Sequence, residues 1–275
     1  MSVVHALIIG IVQGLTEFLP VSSSGHMTIA EMLLGMDDAS EMLAFDVAMH
    51  AATLLAILVF FARSWVRAIT AQPQLLLVVS AACVPAVALY FAFASAIALA
   101  KTSLLAVGLA FGVTAAALVA ADRLAMGVSS PGFDLQEARG QVCDRLWRAL
   151  VVGAAQAVAL FPGVSRSGAT ISAALFCRSS RESAFAFSFL VGAPLMFGAI
   201  LIEARDISGL VATNAWPVVS GGLAAFAAGL LGLLILRRVV TSGRLWLFGA
   251  YAGVLSLVCL VVSLVRAVAS NGGAA

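Results

Sequence analysis

The chain has 275 residues, of which 63% are hydrophobic and only 10% charged, with a mean hydropathy of +1.11. A soluble domain carries about a quarter charged residues, so this composition excludes a soluble globule and describes a polytopic membrane protein. A net charge of +2, with the cations spread through loops rather than gathered in one patch, points away from a nucleic-acid partner.

The N-terminus has neither a basic leader nor a small-residue cleavage site and is expected to be retained. Residues 3 to 19 are apolar but stop at Pro20, short of the roughly 20 residues that a crossing needs. They run into the stretch Gln13-Gly14-Leu15-Thr16-Glu17-Phe18-Leu19-Pro20-Val21-Ser22-Ser23-Ser24-Gly25-His26, which gathers an amide, a carboxylate, three hydroxyls, an imidazole and helix breakers. An ionisable residue at membrane depth costs roughly 2.5 to 3.5 kcal/mol, so such a cluster reads as a functional site facing a protein-lined cavity. Apolar runs long enough to span follow near 43 to 62, 74 to 98 and 102 to 121. The polar segment from about 122 to 148 reads as a linker. A second short apolar piece, 145 to 161, again stops at a proline and opens into Pro162-Gly163-Val164-Ser165-Arg166-Ser167-Gly168-Ala169-Thr170. Three more runs, 184 to 204, 215 to 236 and 246 to 267, complete the chain. Cys83, Cys143, Cys177 and Cys259 have no metal or redox spacing and read as apolar fillers.

The two polar stretches are copies. Sliding the chain by 143 residues places Gly10, Gln13, Phe18, Val21, Ser22, Ser24 and Gly25 on Gly153, Gln156, Phe161, Val164, Ser165, Ser167 and Gly168, seven identities in sixteen positions without a gap. Three spans after each copy make the second copy enter from the opposite side. The expected fold is therefore all-α, with six transmembrane helices plus two re-entrant helical hairpins in an inverted-topology repeat. Its parts are 1–122, a linker 123–144, and 145–275. Loops assigned to one side carry Arg63, Arg67, Arg123, Arg139, Arg145, Arg148, Arg178, Arg181, Arg237, Arg238 and Arg244. The other side has Lys101, Arg205 and Arg266, together with the acidic loop Asp37, Asp38 and Glu41. The positive-inside rule makes the Arg-rich side cytoplasmic, so the first hairpin and the site should open outward. Gly221, Gly222 and Gly232 suit close helix packing within one chain or in a homodimer.

Arg166, set between two serines on a Gly-flanked turn that starts a helix, is anion-binding chemistry: helix N-terminal amides, the positive dipole end and a guanidinium fork all favour a phosphate. The bland alternative is an arginine that snorkels to a headgroup. Glu17 shares a helix face with Gln13, and His26 follows across the turn. Carboxylate, hydroxyl and imidazole together could hold a divalent metal, activate a water or serine, and protonate a leaving group. Against this, Glu17 could be a structural acid paired with Arg166, His26 a hydrogen-bonded interior histidine, and Ser22, Ser23 and Ser24 helix caps. His50 could line the cavity but reads more readily as an interhelical hydrogen-bonding group, while Gln156, which matches Gln13, could equally be interhelical glue. Glu31 is given no role. Inverted repeats with broken helices are also a transporter plan, so an anion carrier or lipid flippase is the rival reading.

The runs Gln13 to His26 and Pro162 to Thr170 resemble the two signature motifs of the undecaprenyl-diphosphate phosphatase family, the bacitracin-resistance type. The resemblance covers the chain in length, motif order, span count and duplication. It implies a hydrolase of the bacterial plasma membrane that releases the terminal phosphate of undecaprenyl diphosphate and returns the lipid carrier to peptidoglycan synthesis. It further implies that Glu17 is the essential acid linked to a divalent ion, Mg2+ or Ca2+, with Ser23 and His26 as catalytic hydroxyl and histidine. Ser165, Arg166 and Thr170 would bind phosphate, with Ser167 and Gly168 in the same turn and Ser22 and Ser24 beside it. Where many members have a second Glu, this chain has Gln13, a poorer metal ligand that is expected to position substrate or water. Ser23, His26 and water all remain open as the attacking group.

Overall fold

The computed structural model describes residues 2–36, 39–101, 103–125, 142–203 and 215–272. Asp37, Asp38, Arg139, Arg205 and most of the expected linker lie outside the described residues. Eleven helices are seen among those described: α1 Val3–Phe18, α2 Ser23–Leu33, α3 Ala39–Phe60, α4 Ala62–Thr70, α5 Pro73–Lys101, α6 Leu104–Ala125, α7 Val142–Val158, α8 Arg166–Phe176, α9 Arg181–Glu203, α10 Ala215–Thr241 and α11 Trp246–Gly272. The protein is an all-helical, multi-pass membrane protein: five of these helices, α5, α6, α9, α10 and α11, are long and apolar enough to cross a bilayer.

The remaining expected span, near 43 to 62, corresponds to α3 and carries a bend at its end. Its helix ends at Phe60 and turns by 67° into α4. The cause is tertiary, because Phe61 at the break is buried and its ring lies 5.6 Å from that of Phe185 and 5.8 Å from that of Phe189. The short α4 that results puts Arg63 and Arg67 on the same helix as exposed Val66 and Ile69, a two-faced surface suited to a membrane interface.

Neither motif-bearing arm is long enough to span alone. At 1.5 Å per residue, the 16 residues of α1 and the 17 of α7 give about 24 and 26 Å, against about 30 Å of hydrocarbon. Each is followed by an 11-residue helix, α2 or α8, after the proline turn.

The packing crosses between the two halves of the chain. The α1 arm packs most extensively on α10, and α7 on α5, while α6 pairs with α11. Glycine permits the first two contacts. A Cβ on Gly10 would lie 2.2 Å from the Gly221 carbonyl oxygen, and one on Gly153 would lie 2.2 Å from the Ala82 carbonyl oxygen. The internal duplication matches these two glycines to each other. The α9 helix runs through the middle, where Phe185, Phe187, Phe189 and Leu190 are buried. The α11 helix lies at the periphery, with Val254, Leu257, Leu264 and Val265 exposed on an apolar face.

One end of the bundle is tied together by its charges. Arg181 at the start of α9 donates to the Asp122 carboxylate at 2.7 Å and to the Val240 carbonyl at 3.1 Å. The same Asp122 accepts from the Trp246 amide at 3.3 Å. Arg237 pairs with Glu182 at 2.6 Å, and Arg148 donates to the Cys177 carbonyl. Loops that the sequence assigns to the Arg-rich side thus meet in space.

Replacing Gly10 or Gly153 by Leu should separate the paired helices. We expect a loss of about 1 to 3 kcal/mol, read as a lower midpoint of thermal unfolding in detergent, while the same change at Gly192, where no atom lies within 4 Å of an added Cβ, should have a much smaller effect.

Candidate active site

The two proline turns meet beneath the ends of α1 and α7. A Cβ on Gly168 would lie 3.2 Å from the Pro20 side chain, so the tips of the two hairpins touch. The first tip is held from within the core: Phe18 is fully buried, edge-on to Phe189 at 5.6 Å, and covered by Gly229. Ser22 then takes a left-handed conformation (φ 66°, ψ 96°), uncommon for a residue with a Cβ. The second tip is clamped by α6. Thr114 donates to the Gly163 carbonyl at 3.3 Å and accepts from the Ser165 amide at 3.1 Å. Gly163 has φ 94°, and a Cβ there would meet the Val107 carbonyl oxygen at 2.6 Å. Ser165 caps α8 by accepting from the Gly168 amide at 3.2 Å.

Between the tips lies a cavity of about 380 Å3. Its polar wall is formed by Thr16, Glu17, Ser22, Ser23, Ser24, His50, Gln156, Ser165 and Arg166. Its apolar wall comes from Leu195, Met196, Ala199 and Ile200 of α9 and from the turn before Pro162.

Glu17 is the centre of the polar wall. Its side chain is 6% exposed, and its two oxygens are shared out between the halves of the chain. Oε1 accepts from the Arg166 guanidinium. Oε2 accepts from Ser23 Oγ at 2.7 Å and from the Gln13 amide at 3.1 Å, with His50 Nε2 at 3.6 Å. The pairing of Glu17 with Arg166, weighed from sequence as a purely structural alternative, is present, and it lies on the cavity wall.

The other expected site residues divide into those that line the cavity and those that support it. Ser22, Ser23, Ser24, Ser165 and Arg166 line it. Gln13 is fully buried behind Glu17. Ser167, Gly168 and Thr170 lie within α8: Ser167 Oγ is 3.2 Å from Ser165 Oγ, and Thr170 Oγ1 donates to the Arg166 carbonyl at 2.8 Å and contacts Ser188. Their polar atoms shape the turn, and none of the three lines the cavity itself. His26 also departs from expectation. Its Nε2 meets the Tyr251 hydroxyl of α11 at 2.6 Å, and it does not line the cavity. The imidazole on the cavity wall is that of His50.

Gln156, which the sequence leaves equally open to a site role or interhelical glue, lines the cavity with neither atom of its buried amide hydrogen-bonded. The repeat explains this. Gln13 bonds the carboxylate four residues on, whereas the residue four on from Gln156 is Leu160. His50 had a signal too, as a lone imidazole inside an apolar run, while the α9 wall had none.

A family model described as bacitracin resistance protein BacA matches residues 6–258. The chain belongs to the BacA family. Among curated proteins it is 38% identical to the undecaprenyl-diphosphatase of Syntrophotalea carbinolica, over 91% of this chain and 95% of the relative. The undecaprenyl-diphosphatase of Thermosipho africanus is 35% identical over 93% and 98%, and that of Korarchaeum cryptofilum 34% over 94% and 99%. The match to the BacA model takes in both hairpins and the apolar wall of α9, so the cavity lies wholly within the family's shared region.

Proposed function

We propose that the chain is an integral membrane phosphatase that hydrolyses undecaprenyl diphosphate to undecaprenyl phosphate and inorganic phosphate, recycling the lipid carrier for peptidoglycan synthesis. The observation that carries this reading is the cavity itself. Arg166, Glu17 and three serine hydroxyls stand opposite an apolar wall, which matches a substrate with a diphosphate head and a prenyl tail. The relatives' activity is of the same class.

Phosphoryl transfer mainly requires positioning and stabilisation of charge. Arg166 and the first amides of α8, at Arg166 and Ser167, supply donors for the terminal phosphate, the Gly168 amide being capped by Ser165. The wall of Leu195, Met196, Ala199 and Ile200 receives the first prenyl units. Ser23 already points its hydroxyl at Glu17, so Glu17 is placed to take a proton from an attacking hydroxyl, whether that of Ser23 or of a water in its position. Ser22, Ser24 and Ser165 remain as hydroxyl donors to the phosphates.

A divalent ion, Mg2+ or Ca2+, fits as part of this reading. No group of three or more His, Cys, Asp or Glu that could hold a metal exists among the described residues. A single carboxylate suits an ion such as Mg2+, which is commonly held by one or two carboxylates together with substrate phosphates. Glu17 would hold it, and the ion would neutralise phosphate charge.

In this reading residues 1–122 and 145–275 are inverted repeats joined by a cytoplasmic linker, with the hairpins re-entrant in a bacterial plasma membrane. The crossed packing of α1 on α10 and α7 on α5 supports it. The site opens to the outer face. The α9 helix starts with Arg181 at the Arg-rich end, and the cavity is lined by its later residues, Leu195 to Ile200.

Phosphate release from a polyprenyl diphosphate in detergent tests the activity. We expect Arg166→Ala and Glu17→Ala each to lower turnover by about 100- to 1,000-fold; a folded wild-type protein that moves the lipid but releases no phosphate would support a carrier instead. For orientation, Ser24→Cys should react with a membrane-impermeant thiol reagent added outside the cell, and labelling only from the cytoplasm would reverse the assignment.

A further inference from the structure

Two histidines of the first half of the chain present themselves in the same way. His26 Nδ1 lies 2.8 Å from the Ser22 carbonyl, and His50 Nδ1 lies 2.8 Å from the Asp46 carbonyl. A carbonyl can only accept, so Nδ1 carries the hydrogen in both rings and Nε2 is the nitrogen left for other chemistry. In His26 that nitrogen is taken by Tyr251 at 2.6 Å. In His50 it is not. Glu17 Oε2 stands 3.6 Å away, beyond hydrogen-bonding distance, and is already occupied by Ser23 and Gln13. The His50 side chain is 40% exposed and lines the cavity.

The placement relative to Arg166 is the second half of the argument. Arg166 approaches Glu17 on Oε1 and His50 faces Oε2, so the two nitrogen groups flank one carboxylate from opposite sides. An anion entering the cavity beside Glu17 therefore meets a guanidinium on one flank and an imidazole nitrogen on the other. Glu17 fills the gap between them only in part, because His50 makes no hydrogen bond to it.

We propose that His50 is a phosphate-binding residue of this site: its Nε2, an acceptor in this tautomer, takes a hydrogen bond from a protonated oxygen (P–OH) of the lipid's terminal phosphate while Arg166 donates to another oxygen. This deepens the phosphatase reading and rests on it for the identity of the ligand. The ring is fixed for the task by the Asp46 carbonyl, so its contribution is to substrate affinity rather than to folding.

The test compares His50→Ala, His50→Phe and His50→Gln in the full-length protein in detergent. KM and kcat for a polyprenyl diphosphate are measured, together with the dissociation constant for inorganic phosphate by calorimetry. The phenylalanine fills the space without a polar atom, and the glutamine restores one. We expect KM and the phosphate dissociation constant to rise together by about 10- to 100-fold in the Ala and Phe variants, with His50→Gln recovering most of the loss. Unchanged KM and phosphate affinity in folded Ala and Phe variants would overturn the proposal, as would a fall in kcat alone. Phosphate binding is measured without turnover, so absence of phosphatase activity in the wild type would count against the proposed function and leave this measurement valid.

Discussion

The ion pair between Glu17 and Arg166 is the constraint around which the molecule is arranged. A carboxylate 6% exposed within a hydrocarbon-rich bundle is tolerable only with charge and hydrogen bonds on both oxygens. The protein supplies them from two sources 149 residues apart in sequence. Everything that brings the hairpin tips together serves that contact: Phe18 in the aromatic core, Thr114 on the second turn, and glycines where helices touch backbone to backbone. Because Glu17 is also the wall of the cavity, the group that holds the halves together is the group that faces the substrate.

Duplication followed by divergence explains how one site arises from two copies. Ser23 and Arg166 occupy equivalent positions in the repeat, and both bind Glu17, one on each oxygen. The position equivalent to Glu17 is Leu160, also on the cavity wall. One copy therefore provides the carboxylate and hydroxyls, and the other the cation and the helix N-terminus. Had both kept a glutamate, two buried acids would confront each other with one guanidinium between them. The asymmetry gives a polar pocket with a single carboxylate, flanked by Arg166 and His50, in which an anion has a preferred orientation.

Much of this was legible in the sequence because it rests on composition and on spacing. Apolar runs located α5, α6, α9, α10 and α11, and the internal match located both turns. The departures come from side-chain packing, which spacing does not record. The span ending at Phe60 bends because Phe61 is drawn into a cluster with Phe185 and Phe189. His26, close to the serines in sequence, is turned by α2 toward Tyr251, whereas His50, 33 residues from Glu17, is carried by α3 to the cavity. Nearness along the chain does not record which imidazole faces the cavity. Thr170 and Ser167 make hydrogen bonds within the α8 turn, which the motif alone does not show.

The central claim is that Glu17 and Arg166 interact directly across the two halves. A double-mutant cycle on thermal stability in detergent, with Glu17→Gln, Arg166→Gln and the pair, measures that contact alone. The structure predicts non-additivity of about 1 to 3 kcal/mol, each single change leaving an unpaired charge that the double change removes. Effects that simply add would show that the two side chains do not meet, and the site as described would not exist.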